Sequence, residues 1–159
     1  MKKKNINFIA EISSNHNRNL RRTLKIIDSA KNSGFNSVKF QLFKIEELFA
    51  KEILDHSTEH KKRSKWELPK EFIPKISSHC KMRNIKFGCT PFYIQAVDYL
   101  KKYVDFFKIS SYEILWKELL IKCIKTNKPV IISTGMATMK EVSQTIKFVK
   151  KFKNKKITI

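Results

Sequence analysis

The chain reads as an α/β protein, part of a parallel (β/α) barrel. Two observations predict this. Short runs rich in β-branched and aromatic residues alternate with stretches whose apolar residues recur at helical spacing. A polar residue stands at the C-terminal end of several such runs: Lys39 in Ser37-Val38-Lys39-Phe40-Gln41, Lys108 in Phe106-Phe107-Lys108-Ile109-Ser110-Ser111, and Ser133 after Val130-Ile131-Ile132. Strand–helix alternation calls for right-handed crossovers and a parallel sheet, and the C-terminal strand ends are where TIM-type barrels carry their chemistry.

The elements follow in order. Phe8 to Ile12 predicts strand one, and Ser13 to Asn19 a polar loop with several possible helix caps. Leu20, Leu24, Ile27 and Ala30 mark a helix that Gly34 stops. Ser37 to Leu42 is strand two. Residues 44 to 69 are irregular and read as an elaborated loop. Phe72, Ile76 and Cys80 mark the next helix, and Ile85 to Cys89 is strand three, ended by Thr90-Pro91. Ala96, Val97 and Leu100 give a helix face, Val104 to Ile109 strand four, and Leu115, Leu119 and Ile124 another helix face. Val130 to Ser133 is strand five. Thr138-Met139-Lys140-Glu141 has the form of a capping box ahead of Val142, Ile146 and Val149, and Lys156 to Ile159 is strand six. The count is about five βα units plus a sixth strand, and 159 residues fall short of the roughly 200 a full eight-unit barrel needs.

The composition is basic, with 34 Lys+Arg against 14 Asp+Glu and a formal charge of +20. The lysines are spread along the chain, and Lys140, Lys147, Lys150 and Lys151 fall where a barrel helix meets water, so a solvated surface is expected rather than a nucleic-acid patch. Cys80, Cys89 and Cys123 show no metal-ligand spacing and read as buried free thiols of a reducing compartment. Met1-Lys2-Lys3-Lys4 precedes too short an apolar run for a signal peptide or a membrane span. A cytoplasmic protein is expected. Gly-x-Gly-x-x-Gly and Gly-x-x-x-x-Gly-Lys are both absent, and three glycines cannot supply a glycine-rich phosphate cradle. An anion would therefore be held by lysines, serines and strand-end amides.

The strand-end residues suggest that chemistry. Glu11 within strand one is either the ion-pair partner of a barrel lysine or a group that binds a hydroxylated or cationic moiety. Lys39 and Gln41 share a face of strand two, because side chains alternate along a strand. Lys108 repeats the pattern in strand four, with Ser111 and Glu113 just beyond. A Schiff-base lysine remains open at Lys108, since a neighbouring cation lowers an amine's pKa. His56 and His60, four apart, lack further metal ligands and read as exposed loop residues; His79 reads as packing or capping; His16 either touches a substrate or organises its loop.

Together, the stretches Phe8 to Asn17, Val38-Lys-Phe-Gln41, Cys89-Thr-Pro-Phe92, Phe107 to Glu113 and Lys128 to Ala137 resemble the sialic acid synthase family, which includes N-acetylneuraminate, pseudaminate and legionaminate synthases. The resemblance runs from Asn7 to the C-terminus. It implies condensation of phosphoenolpyruvate with an open-chain N-acylamino sugar: C3 of phosphoenolpyruvate attacks the aldehyde, water adds at C2 and phosphate leaves, with no Schiff base. It implies phosphoenolpyruvate contacts for Lys39, Lys108, Ser111 and Ser133, a place at the reacting centre for Glu11, a sugar contact for Gln41, and supporting roles for Asn15, His16, Asn17 and Glu113, the last near the phosphoenolpyruvate carboxylate or bracing Lys108. It also implies a homodimer and a divalent metal, Mn2+ or Mg2+, that polarises the aldehyde. The family's metal-binding histidines follow strand six, so no metal ligands are expected within this chain. Nor are the closing barrel strands or the C-terminal antifreeze-like domain expected here, and on this basis the chain should be inactive alone. Two positions depart from the family pattern. Arg18 stands where a glycine is usual and must avoid or strain a positive φ, and Tyr112 replaces another glycine, which leaves the sugar open. Outside the family, the residues also allow a barrel lyase or aldolase with a Schiff base on Lys108, or a non-catalytic basic binding module.

Overall fold

The computed structural model describes residues 6–152 and 156–159; Met1-Lys2-Lys3-Lys4 lies outside them. Six strands form one sheet in chain order: β1 (Ile9–Glu11), β2 (Ser37–Leu42), β3 (Lys86–Pro91), β4 (Phe106–Ile109), β5 (Val130–Ile132) and β6 (Ile157–Thr158). Every neighbouring pair is parallel. The helices are α1 (Leu20–Asn32), α2 (Ile45–Leu48), α3 (Lys51–His56), α4 (Thr58–Lys62), α5 (Phe72–Met82), α6 (Ile94–Leu100), α7 (Lys117–Ile124) and α8 (Met139–Val149). Sequential parallel strands joined by helices make a partial (β/α) barrel, as the residue pattern predicts.

Alternation along the strands separates two environments. Phe40, Phe87 and Phe107 point to the helical layer, where they are buried with Ile27, Ile76, Leu100 and Leu119. Phe40 and Phe87 meet edge-to-face at 5.7 Å between ring centroids. The opposite face, the concave side of the barrel, carries Glu11, Lys39, Gln41, Gly88, Thr90 and Lys108, so burying the phenylalanines places the polar groups inside. Cys80, Cys89 and Cys123 are buried free thiols; burial pushes Cys80 and Cys123 up to about 12 and Cys89 higher still.

Local chemistry accounts for the helix limits. Asn19 caps α1 by accepting from the Arg22 amide at 2.9 Å, and Gly34, at φ +86°, turns the chain after it. The capping box of α8 forms as expected: Thr138 Oγ1 accepts from the Glu141 amide and Glu141 Oε2 from the Thr138 amide. Lys140, Lys147, Lys150 and Lys151 are exposed.

Several expectations need correction. Residues 44 to 69 are not an open loop: they contain α2, α3, α4 and a 3₁₀ turn at Arg63–Trp66. Four pieces this short show no apolar periodicity, so the sequence pattern could not reveal them. His56 and His60 lie on different helices, separated by Ser57, the N-cap of α4. His60 is not freely exposed either; its ring sits 4.8 Å from that of Phe49. His79 pairs with Asp28 at 2.8 Å and ties α5 to α1. Leu115 precedes α7 and is 51% exposed, leaving Leu119, Leu120, Cys123 and Ile124 as its buried face. β3 extends through Thr90-Pro91, because Pro91 is the terminal strand residue and its missing N–H breaks no interior ladder.

Gly88 is required by packing. A Cβ there would lie 2.1 Å from Cζ of Phe106, its partner across β3 and β4. The Phe106 ring, 5% exposed, has no room to retreat. Gly88→Ala should therefore destabilise the fold by about 1–3 kcal/mol, seen as a lower midpoint of urea unfolding. Adding Phe106→Leu should restore part of the loss.

Candidate active site

The site is assembled by register. β1 and β2 pair with Glu11 beside Lys39, and β2 and β3 pair with Lys39 beside Gly88 and Gln41 beside Thr90. Lys39 is 8% exposed; its Nζ forms an ion pair with Glu11 and donates to Thr90 Oγ1 at 3.2 Å. It is thus a buried, doubly partnered cation, not a surface lysine with its head in water. The Glu11 side chain is 46% exposed and faces the open concave surface.

Lys108 forms the second cationic centre. Its Nζ donates to Ser133 Oγ and, at 2.9 Å, to the Ile109 carbonyl. Burial lowers its pKa, and the Lys39 charge lowers it further, against smaller opposing effects from Glu11 and Glu113. β4 and β5 pair Lys108 with Ile131, so Ser133 lies one pleat beyond, within reach of the amine. The Ser133 amide donates to the Ile109 carbonyl at 3.1 Å, which holds the loop after β5 against β4.

The other predicted residues are placed as follows. Ser111, in the 3₁₀ turn Ser111–Glu113, packs beside Gly135, where an added Cβ would be 3.7 Å from Ser111 Oγ. It therefore joins the Lys108–Ser133 side of the site. Glu113 Oε2 is buried without a hydrogen-bond partner, and among the described residues no ion pair joins it to Lys108, so Glu113 acts on the amine only through space. Tyr112 is 75% exposed. Gln41 opens onto a cavity of about 300 Å³ that Phe43, Phe92 and Trp66 also line.

The first loop is a series of turns. The Asn15, Asn17 and Asn19 amides donate to the Ile12, Ser14 and His16 carbonyls. His16 is fully buried and its Nδ1 accepts from the Arg18 amide at 2.9 Å, so its place is structural. Its Nε2 lies near the Trp66 backbone without a well-formed hydrogen bond. Arg18 adopts φ +50°, following Asn17 at +46°; the glycine-type turn is kept, and a side chain is strained to keep it. Asn15 and Asn17 expose their side chains.

Sequence inspection missed Thr90 as a partner of Lys39, although its register with Gln41 is the signal that finds it. Arg63, which lines the cavity beside Gln41, is likewise marked by no periodicity. Among the described residues no group of three or more His, Cys, Asp or Glu is arranged to hold a metal ion. No described helix is long and apolar enough to cross a membrane.

Lys39 and Lys108 within parallel strands, Ser133 just past the end of β5, and the half-exposed Glu11 carboxylate beside Lys39 form a barrel site suited to an anionic substrate. Residues 26–159 match the NeuB family, and the chain belongs to it. It is 34% identical over 150 residues to N,N'-diacetyllegionaminic acid synthase of Campylobacter jejuni, covering 87% of this chain and 45% of that protein. It is 30% identical to pseudaminic acid synthase of Helicobacter pylori, covering 96% of this chain and 48% of that one. The crystal structure of an N-acetylneuraminic acid (sialic acid) synthetase from Leptospira borgpetersenii superposes with a TM-score of 0.82 at 29% identity, covering 91% of this chain and 50% of that chain. The chain thus spans about half the length of the relatives it matches.

Burial holds the His16 pKa below its ordinary value, with the Arg18 charge a lesser cause in the same direction. The folded state then binds fewer protons than the unfolded chain below about pH 6.5. Stability should be unaffected by His16 above that pH and fall as the pH drops through 6.5 toward the folded pKa. Melting temperatures between pH 7.5 and 5 should show a shallower slope in His16→Gln than in the parent.

Proposed function

We propose that the chain supplies the phosphoenolpyruvate site of a nonulosonate synthase, which condenses phosphoenolpyruvate with an N-acylamino sugar and releases phosphate. Its family membership supports the reaction class. The observation that carries the substrate is the pairing of Lys39 and Lys108 on neighbouring parts of one concave face, each amine already satisfied by hydroxyl or carboxylate oxygens that an anion could replace. Lys39, Lys108 and Ser133 would hold the phosphate and carboxylate of phosphoenolpyruvate, with Ser111 closing the Lys108 side. Glu11, paired with Lys39 but open to solvent on its other side, would face the bond-forming carbon and the sugar aldehyde. In the condensation a C–C bond forms between C3 of phosphoenolpyruvate and the aldehyde carbon, water adds at C2, and the C–O bond to phosphate is broken. Gln41 would contact the sugar. Asn15, His16, Asn17 and Glu113 would support this arrangement without touching the reacting atoms. The described residues do not fit a divalent metal, so no step is assigned to one.

One observation favours a second mechanism. The lowered pKa of Lys108, with Lys39 close by, is what a Schiff-base lysine requires. Both possibilities are resolved by one experiment. Calorimetry with phosphoenolpyruvate should show binding that falls at least tenfold, about 1.4 kcal/mol, in Lys39→Ala and in Lys108→Ala, and is lost in the double variant. Borohydride treatment with a 2-keto acid should leave Lys108 without an adduct. A trapped adduct would establish Schiff-base chemistry. Binding that survives the double variant but disappears at high salt would reduce the site to a generally basic surface.

A further inference from the structure

We propose that the groove between α7 and α8 is a docking surface for an acidic segment of a partner protein, anchored there by an apolar side chain. It lies in the outer helical layer, away from the concave face, and does not depend on the reaction carried out there. The groove has a volume of about 380 Å³. Leu115, Leu120 and Phe148 give it apolar lining, and Lys117, Lys147 and Lys151 give it charge. Its inner side is closed by buried Leu120 and by Thr145, whose Oγ1 donates to the Ile114 carbonyl at 3.4 Å. Leu115 is 51% exposed and leaves apolar surface at the opening. Lys117 reaches across from α7, its Nζ 5.9 Å from the centroid of the Phe148 ring. Lys147 and Lys151 stand one turn apart on the other side, since residues four apart share a helix face.

The charge of the groove is uncompensated. Among the described residues none of its three lysines forms an ion pair, and no Asp or Glu lines it. Elsewhere in the helical layer lysines find carboxylates: Lys101 and Lys122 both reach Asp98, at 3.5 and 2.8 Å. Glu141, the only carboxylate of α8, is held by the Thr138 amide and hydroxyl in the capping box. Helix electrostatics explain only part of this pattern. A cation suits the last turn of α8 but is disfavoured at the first residue of α7, where Lys117 stands. The same features choose the occupant. A small inorganic anion would satisfy the amines and leave the Leu115 and Phe148 surface wet. A second copy of this chain would bring its own charge of +20 against the groove. A nucleic-acid duplex or a lipid headgroup layer presents charge over a broad surface, whereas these lysines edge an apolar groove confined between two helices. A peptide with a leucine or phenylalanine between carboxylates matches both parts: the apolar side chain is buried and the carboxylates meet the lysines.

The test titrates the full chain into a dye-labelled peptide in which a pair of leucines is flanked on each side by a pair of glutamates, and follows fluorescence anisotropy. Saturable binding is expected. It should weaken about fivefold or more when Lys147→Glu is combined with Lys151→Glu, and far less when Lys61→Glu is combined with Lys62→Glu, which removes the same charge from the exposed face of α4. Replacing the leucines of the peptide by serines should also weaken binding about fivefold. Leu115→Gln keeps the charge of the chain and alters only an exposed side chain; it should weaken the leucine peptide and leave the serine peptide unchanged. Unchanged melting temperatures show that the variants are folded, and Leu115→Gln carries the test if a charge-reversed chain is not. The proposal is overturned by no saturable binding, by equal losses in the two charge-reversed chains, or by serine and leucine peptides that bind alike. Phosphatidylglycerol vesicles and a DNA duplex are measured in parallel, and tighter binding of either through Lys147 and Lys151 would overturn the choice of partner.

Discussion

A lysine amine inside a parallel sheet must be satisfied where it lies, because no water replaces its partners. Lys39 meets that constraint by pairing with Glu11 on β1 and bonding Thr90 on β3. The three strands are therefore held in the one register that brings these groups together, and a slip of a single residue would turn Lys39 into the phenylalanine layer. Gly88 stands between Lys39 and Phe106 in the same register, and its missing Cβ admits the Phe106 ring. The features that make the site also align the sheet.

The second cationic centre is built differently. Lys108 is satisfied by Ser133 and by its own neighbour's carbonyl, across β4 and β5. Burial and the Lys39 charge both disfavour its protonated form, whereas Lys39 has a carboxylate at contact distance. The two lysines are thus unequal: Lys39 is paired with a carboxylate, whereas the hydrogen bonds of Lys108 go to hydroxyl and carbonyl oxygens.

The alternation of strands and helices was legible because each strand buries one face against helices, which leaves a clear β-branched and aromatic pattern. Lys39 and Lys108 were legible because a charge flanked by Val38 and Phe40, or by Phe107 and Ile109, is anomalous in such a run. Thr90 was not, because a threonine before a proline reads as a strand end and only cross-strand register reveals its partner. The helices between Ile45 and Lys62 were hidden by their length, and with them the wall containing Arg63 and Trp66. Arg18 was recognised as a problem, but only the backbone shows how it is met: the positive φ is retained in a loop braced by buried His16.

The amino-acid sequence by itself determined the fold class, the order of the elements, and the lysines and serines at the strand ends, because these rest on local periodicity and on the cost of placing charge among apolar neighbours. Tertiary structure alone decided which groups come together: Glu11 with Lys39, Lys39 with Thr90, Lys108 with Ser133, and Gln41 in one cavity with Arg63 and Trp66. Those contacts join residues far apart in the chain, and their geometry is set by strand register and by how a non-repeating segment packs back onto the barrel, neither of which local sequence encodes.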